Sequence, residues 1–136
     1  MNNGRFAISL HILTLLCKSR GELLSSDYIA GSININPVLV RKEIIQLRKA
    51  GYVDSKEGKN GGCFLVKKAE EISLAELFKL VYQNPVLSLA KNIPNPNCPV
   101  GKAINTNLSQ LYREVEEAML SKLAKTNLAE FCNKFD

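Results

Sequence analysis

Near the N-terminus apolar residues recur at helical spacing: Phe6, Leu10, Leu13 and Cys17 follow one another by four, three and four positions. They draw one stripe on a helix ending near Arg20-Gly21. Cys17 sits on that stripe and reads as a small buried hydrophobe. His11, the sole histidine, lies beside it and reads as half-buried packing. Ser25 or Ser26 can cap a brief second helix carrying Ile29 and Ala30, with Gly31-Ser32 as its stop. Asn36 then offers a side-chain oxygen to free backbone N–H groups. Pro37 follows at the first helical position, where its missing N–H is no loss. Val40, Ile44 and Leu47 turn inward along this third helix, which runs to about Ala50 and ends at Gly51. The pattern predicts helix, tight turn, helix.

The period changes in "YVDSKEGKNGGCFLVKK", which reads as two short β-prone runs around a tip of Gly58, Lys59, Asn60, Gly61 and Gly62. Ser73 and Glu76 have the spacing of a capping box, with Ile72 and Leu77 as a hydrophobic staple, so a helix is predicted over 73–82. Residues 83–97 are rich in proline and asparagine and show no period, as expected of a loop. Helical spacing returns in Ile104, Leu108, Leu111, Val115 and Ala118, joined by Met119 and Leu123. This narrow stripe resembles a coiled-coil seam more than the broad face of a globular helix. From Pro99 to Ala124 the helix would extend about 39 Å. A second copy of itself is the simplest partner for such a rod. Thr126 or Asn127 starts a final short helix with Leu128, Phe131, Cys132 and Phe135 on one face.

The fold class predicted is mainly α with a small β-hairpin wing: a winged helix-turn-helix DNA-binding domain plus a long C-terminal dimerisation helix. Its ranges are 1–82 for the winged domain, 83–98 for a connecting loop, and 99–136 for the dimerisation helix and a short terminal helix.

Composition narrows the function. At 136 residues the chain can bury one core. No apolar run is long enough to span a bilayer, and the first residues lack the order of a signal peptide, so a cytoplasmic location is expected. The cysteines at 17, 63, 98 and 132 include no CxxC pair, and structural zinc is not expected. No cofactor is expected. The net charge of +5 is concentrated: residues 1–68 carry eleven Lys or Arg against five Asp or Glu, and 69–136 carry seven against eight. The basic half is the candidate for meeting an anion.

In a winged helix-turn-helix the second helix of the pair enters the major groove while the hairpin reaches backbone or minor groove. Taking away the inward residues leaves Val38, Leu39, Arg41, Lys42, Ile45, Gln46, Arg48 and Lys49 on the outer surface. This set combines cations for phosphate, an amide suited to adenine and apolar groups for thymine methyls. Ser25 and Ser26 at the preceding cap, and Lys56, Lys59 and Asn60 on the wing, complete the candidate contacts. An enzyme is not expected: there is one histidine, no CxxC and no glycine-rich phosphate loop. A winged helix that binds protein instead of DNA is the competing reading, as is a regulator answering to a small molecule with purely structural cysteines.

The segments "RFAISLHILTLL", "INPVLVRKEIIQLRKAGYV", "SKEGKNGGCFL" and "ISLAELFKLV" resemble, in order, the Rrf2 family of bacterial winged-helix regulators. "NPNCPVG" ahead of the long helix is similar to its YwnA-type sub-branch. The resemblance covers almost the whole chain. It implies a homodimer whose long helices cross, placing two recognition helices on a palindromic DNA operator, usually to repress. Two positions depart from the family pattern: Glu57 stands where the wing commonly carries arginine, and Cys63 where tyrosine is usual. Family members that hold an iron–sulfur cluster present three closely spaced cysteines around residues 90–106, where this chain has only Cys98.

Asn97 or Cys98 sits at the predicted N-cap and Pro99 in the first helical turn, which accounts for the residue order through capping alone. The same position favours a thiolate, because unpaired N–H groups and the helix dipole point at it. A structural cap and a sensor for oxidant or electrophile are both compatible with this placement. Some family members form a disulfide between subunits, but the corresponding partner position in the helix-turn-helix is Ile33 here.

Overall fold

The computed structural model describes residues 4–135; Met1–Asn3 and Asp136, which fall at the outer ends of the ranges 1–82 and 99–136, lie outside the described residues. Helix α1 (Gly4–Lys18) runs through the centre of the molecule, packed by the four shorter α-helices and by the second strand of the hairpin. Its central position changes which residues are inside. Leu10 and Leu13 of the expected stripe are buried, but Phe6 and Cys17 are only half-buried, while Ile12, Leu16 and Ser9 join the core. A helix covered on several sides buries more than one stripe.

Helix α2 (Ser26–Ile33) is capped by the Ser25 side chain, which accepts from the Tyr28 N–H. It does not stop at Gly31-Ser32. Both residues are helical, and the chain turns at Asn34, whose φ of 65° lies in the left-handed region. Ile33 packs against the core, and that contact carries the helix two residues past its glycine. Helix α3 (Pro37–Lys49) begins as the sequence predicts: Asn36 Oδ1 accepts from the Val38 N–H at 2.9 Å and Pro37 occupies the first turn.

Strands β1 (Val53–Lys56) and β2 (Gly62–Leu65) pair antiparallel, with Val53 opposite Leu65 and Lys56 opposite Gly62. Gly62 therefore belongs to the strand rather than to the tip. The hairpin is anchored by a backbone bridge from Leu24, which exchanges N–H···O bonds of 3.1 and 2.8 Å with Cys63. Here a side chain on Gly62 would place its Cβ 2.6 Å from the Leu24 carbonyl oxygen, so the close approach of these backbones requires glycine.

Helix α4 (Leu74–Val81) is capped by Ser73, which accepts from the Ala75 N–H. Glu76 does not close the expected box; its carboxylate lies 3.7 Å from Lys67 Nζ. The reciprocal capping box sits instead at Asn127 and Glu130, opening α6 (Leu128–Cys132). Helix α5 (Pro99–Ala124) contains no buried residue and packs on α4. After it the chain returns to the N-terminal body: Leu74 N–H donates to the Thr126 carbonyl and Leu128 N–H to the Ile72 carbonyl. Leu128 and Cys132 are buried against α1 and its surroundings, so α6 is part of the central core.

Candidate nucleic-acid interface

Helix α3 is held by its inner face. Val40, Ile44 and Leu47 are buried as the spacing predicts, and Glu43 is buried with them. Its carboxylate takes a two-pronged contact from Arg5 on α1, Nε–Oε2 at 2.8 Å and the second guanidinium nitrogen to Oε1 at 3.1 Å. Arg5 also donates to the Val81 carbonyl at 3.2 Å, so one guanidinium ties α1, α3 and α4 together. Sequence reading missed this pair. Its only signal is that position 43 falls three after Val40 and four before Leu47, on the inward side.

The outer face divides in two. Arg41, Ile45 and Arg48 face the wing and join Ser25, Ser26 and Lys56 around an open groove of about 620 Å³. Leu39, Lys42 and Gln46 turn toward a separate depression beside Arg5 and Leu80. Val38 and Lys49, at the two ends of α3, and Lys59 and Asn60, at the wing tip, are exposed outside both. Asn60 adopts a left-handed φ of 69°, as the tight tip demands.

Two carboxylates that sequence reading did not place steer the groove cations. Arg41 lies 3.8 Å from Asp27 and Arg48 lies 3.1 Å from Asp54. All four side chains are at least half exposed. Such pairs contribute only about 0–1 kcal/mol, so they orient the guanidinium groups without preventing exchange for a phosphate. Glu57 also lines the groove and keeps its wing-side edge from being uniformly positive.

Cys98 is the exposed N-cap of α5. The N–H groups of Gly101 and, less strongly, Val100 hold its thiol below the ordinary cysteine value. The preceding loop folds back onto this turn: Cys98 N–H donates to the Asn95 carbonyl, and a Cβ at position 101 would come 2.4 Å from that same oxygen. This explains the glycine at position 101. The buried thiols behave in the opposite sense. Burial raises Cys63, and burial with neighbouring Cys17 pushes Cys132 up to about 12.

A three-helix body, a paired turn presenting α3 and a glycine-tipped hairpin beside it define a winged helix-turn-helix transcription regulator. The chain belongs to the Rrf2 family, described as iron-dependent transcriptional regulators, whose model matches residues 2–134. It is 40% identical to the Bacillus subtilis protein YwnA, named as an HTH-type transcriptional regulator, over 98% of each chain. The Staphylococcus aureus CymR crystal structure is 25% identical, with a TM-score of 0.74, covering 98% of this chain and 99% of that one. The Bacillus subtilis CymR structure shares the fold at 20% identity and a TM-score of 0.74, covering 100% of this chain and 98% of that chain. The protein is thus a DNA-binding transcriptional regulator and not an enzyme. Among the described residues no helix is long and apolar enough to cross a membrane.

The donor set does not fit the iron named in the family description. Among the described residues no group of three or more His, Cys, Asp or Glu side chains converges as metal ligands. Cys63 and Cys132 are buried in the core, and neither can accompany Cys98 at the start of α5.

Proposed function

We propose that the chain acts as a homodimer clamped through α5, which sets two α3 helices on a palindromic operator and represses transcription from it. The observation that carries this reading is α5 itself: a helix of 26 residues without one buried side chain, presenting Leu111 and Val115 to solvent. An apolar stripe of that length on a single chain calls for a partner. Ile104, Leu108, Leu111, Val115, Ala118 and Met119 form the seam. Ser25, Ser26, Val38, Leu39, Arg41, Lys42, Ile45, Gln46, Arg48, Lys49, Lys56, Lys59 and Asn60 meet the DNA, the arginines of the wing-side groove at its centre.

A salt series on operator binding tests the contact. Affinity is expected to fall linearly on a log–log plot with ionic strength, with a slope of roughly −0.9 per phosphate neutralised. Arg41→Ala is expected to weaken binding by about 1–3 kcal/mol and to relax selectivity at one base pair, measured by anisotropy on single-base operator variants. An equal loss on every sequence assigns Arg41 to phosphate, and an affinity indifferent to salt points to a protein partner instead.

Cys98 is the sensor in this reading. Its thiolate attacks a peroxide oxygen, forming the S–O bond of a sulfenic acid as hydroxide leaves. An electrophile adds to the same sulfur. The lowered thiol value sets the pH dependence: the fraction of reactive thiolate rises at lower pH than in an unfolded peptide. The rate of alkylation is therefore expected to reach half its plateau below the midpoint of the denatured chain, while Cys63 and Cys132 titrate above it. A Cys98 midpoint equal to that of the denatured protein removes the sensor role.

A further inference from the structure

Four residues of α3 are buried, and three of them, Val40, Ile44 and Leu47, are aliphatic. Apolar contacts are non-directional: they decide which face of a helix is inside but hold its rotation only loosely. Glu43 is the fourth, and among the described residues it is the sole buried residue that carries a charge. Its two carboxylate oxygens accept from two nitrogens of Arg5, at 2.8 and 3.1 Å. The third guanidinium nitrogen donates at 3.2 Å to the carbonyl of Val81, the last residue of α4. A two-pronged guanidinium–carboxylate contact has a fixed plane and direction. Because α4 also packs on α5, one side chain refers α3 both to the centre of the body and to the helix beside the long rod. The clamp lies where Leu39, Lys42 and Gln46 share a depression with Arg5 and Glu43.

We infer that Arg5 is a positioning residue for DNA sequence recognition: through Glu43 and the Val81 carbonyl it fixes the rotation of α3 about its own axis, and with it the direction in which Arg41, Gln46 and Arg48 meet base edges. A roll of about 20° carries a side-chain tip roughly 6 Å from the axis through about 2 Å, enough to break a hydrogen bond to a base. The energetics favour this role over a purely stabilising one. Taking a carboxylate out of water costs about as much as the pair returns, so such a pair adds little net stability, while the direction it imposes is not supplied by Val40, Ile44 or Leu47. This role presupposes that α3 is the helix that reads DNA.

The test is selection by the full chain from a random-sequence duplex pool, followed by anisotropy on the enriched duplex and on a scrambled duplex of the same length. Arg5→Met combined with Glu43→Met removes one charge of each sign and leaves the net charge alone. Its melting temperature is expected within about 5 °C of the parent. Its affinity for scrambled DNA is expected to be unchanged, while the ratio of enriched to scrambled affinity falls at least ~10-fold. Arg5→Lys keeps a charge facing Glu43 but not the fork, and is expected to lower the same ratio roughly 3- to 10-fold. A purely stabilising ion pair would leave both ratios at the parent value, and that result overturns the positioning role; so does a loss equal on both duplexes. If the double variant does not fold, Arg5→Lys decides by the same ratio. A parent chain that enriches no motif fails the DNA reading of α3 and the positioning role with it, whereas a motif read alike by parent and variants fails the positioning role alone.

Discussion

Protein carrying Leu111→Glu and Val115→Glu together is expected to sediment as a single chain and to lose at least about 100-fold in operator affinity. In the proposed dimer both positions lie in the α5 seam, so four carboxylates would be brought into one apolar strip. Desolvating even one unpaired carboxylate outweighs what a leucine or valine contact contributes there. The isolated chain has little reason to object, because Leu111 is 50% and Val115 46% exposed. The melting temperature at low protein concentration is therefore expected to remain within a few degrees of the parent. Loss of the second half-site accounts for the fall in DNA affinity, since a tethered second contact multiplies the first by about 10²–10⁴. Analytical ultracentrifugation and anisotropy check the two halves separately. A double variant that stays dimeric with unchanged affinity moves the interface elsewhere.

Leu128→Ala is expected to destabilise the whole fold by about 2–5 kcal/mol, the range for a fully buried leucine. Leu128 is 0% exposed and its N–H binds the Ile72 carbonyl, so α6 is tied both by side chain and by backbone to the segment leading into α4. Urea unfolding is the measurement, with a lower midpoint and an unchanged slope as the expected result. Loss of DNA binding is expected to follow unfolding, because α6 packs on the same α1 that supports α3 through Arg5 and Glu43. A change below about 0.5 kcal/mol would make α6 an appendage of α5.

These two predictions fall on opposite sides of what could be read from residue order. The α5 stripe is a repeat within one helix, and so are Asn36-Pro37 at the start of α3 and the glycine tip of the wing; each is a preference between near neighbours. The docking of α6 is of another kind. Its apolar face was visible, but nothing in the spacing of Leu128 and Cys132 says that the face returns to α1 instead of continuing the rod. The cysteines divide likewise. Cys98 owes its lowered thiol value to amides of its own helix start, within three residues. Cys132 owes its raised value to burial and to Cys17, a residue on a different helix.

The candidate interface was legible as a set of exposed side chains and not as an arrangement. The 3.6-residue period separates Arg41, Lys42, Ile45, Gln46 and Arg48 from the core, but it does not say that Arg41 and Arg48 turn to the wing while Lys42 and Gln46 turn to the Arg5 side. That depends on where β1 and β2 stand, and on Asp27 and Asp54 arriving beside the two arginines.

By residue order alone this chain determined its helix starts, its turn-linked helix pair, its glycine-tipped hairpin and its long apolar-striped rod, because each follows from backbone and side-chain preferences that act over a few residues. Tertiary structure alone decided the Arg5–Glu43 clamp, the return of α6 to α1, the extension of α2 through Gly31 and the division of the α3 surface. Those outcomes depend on which distant groups share a buried volume, and burial is settled only when the whole chain has packed.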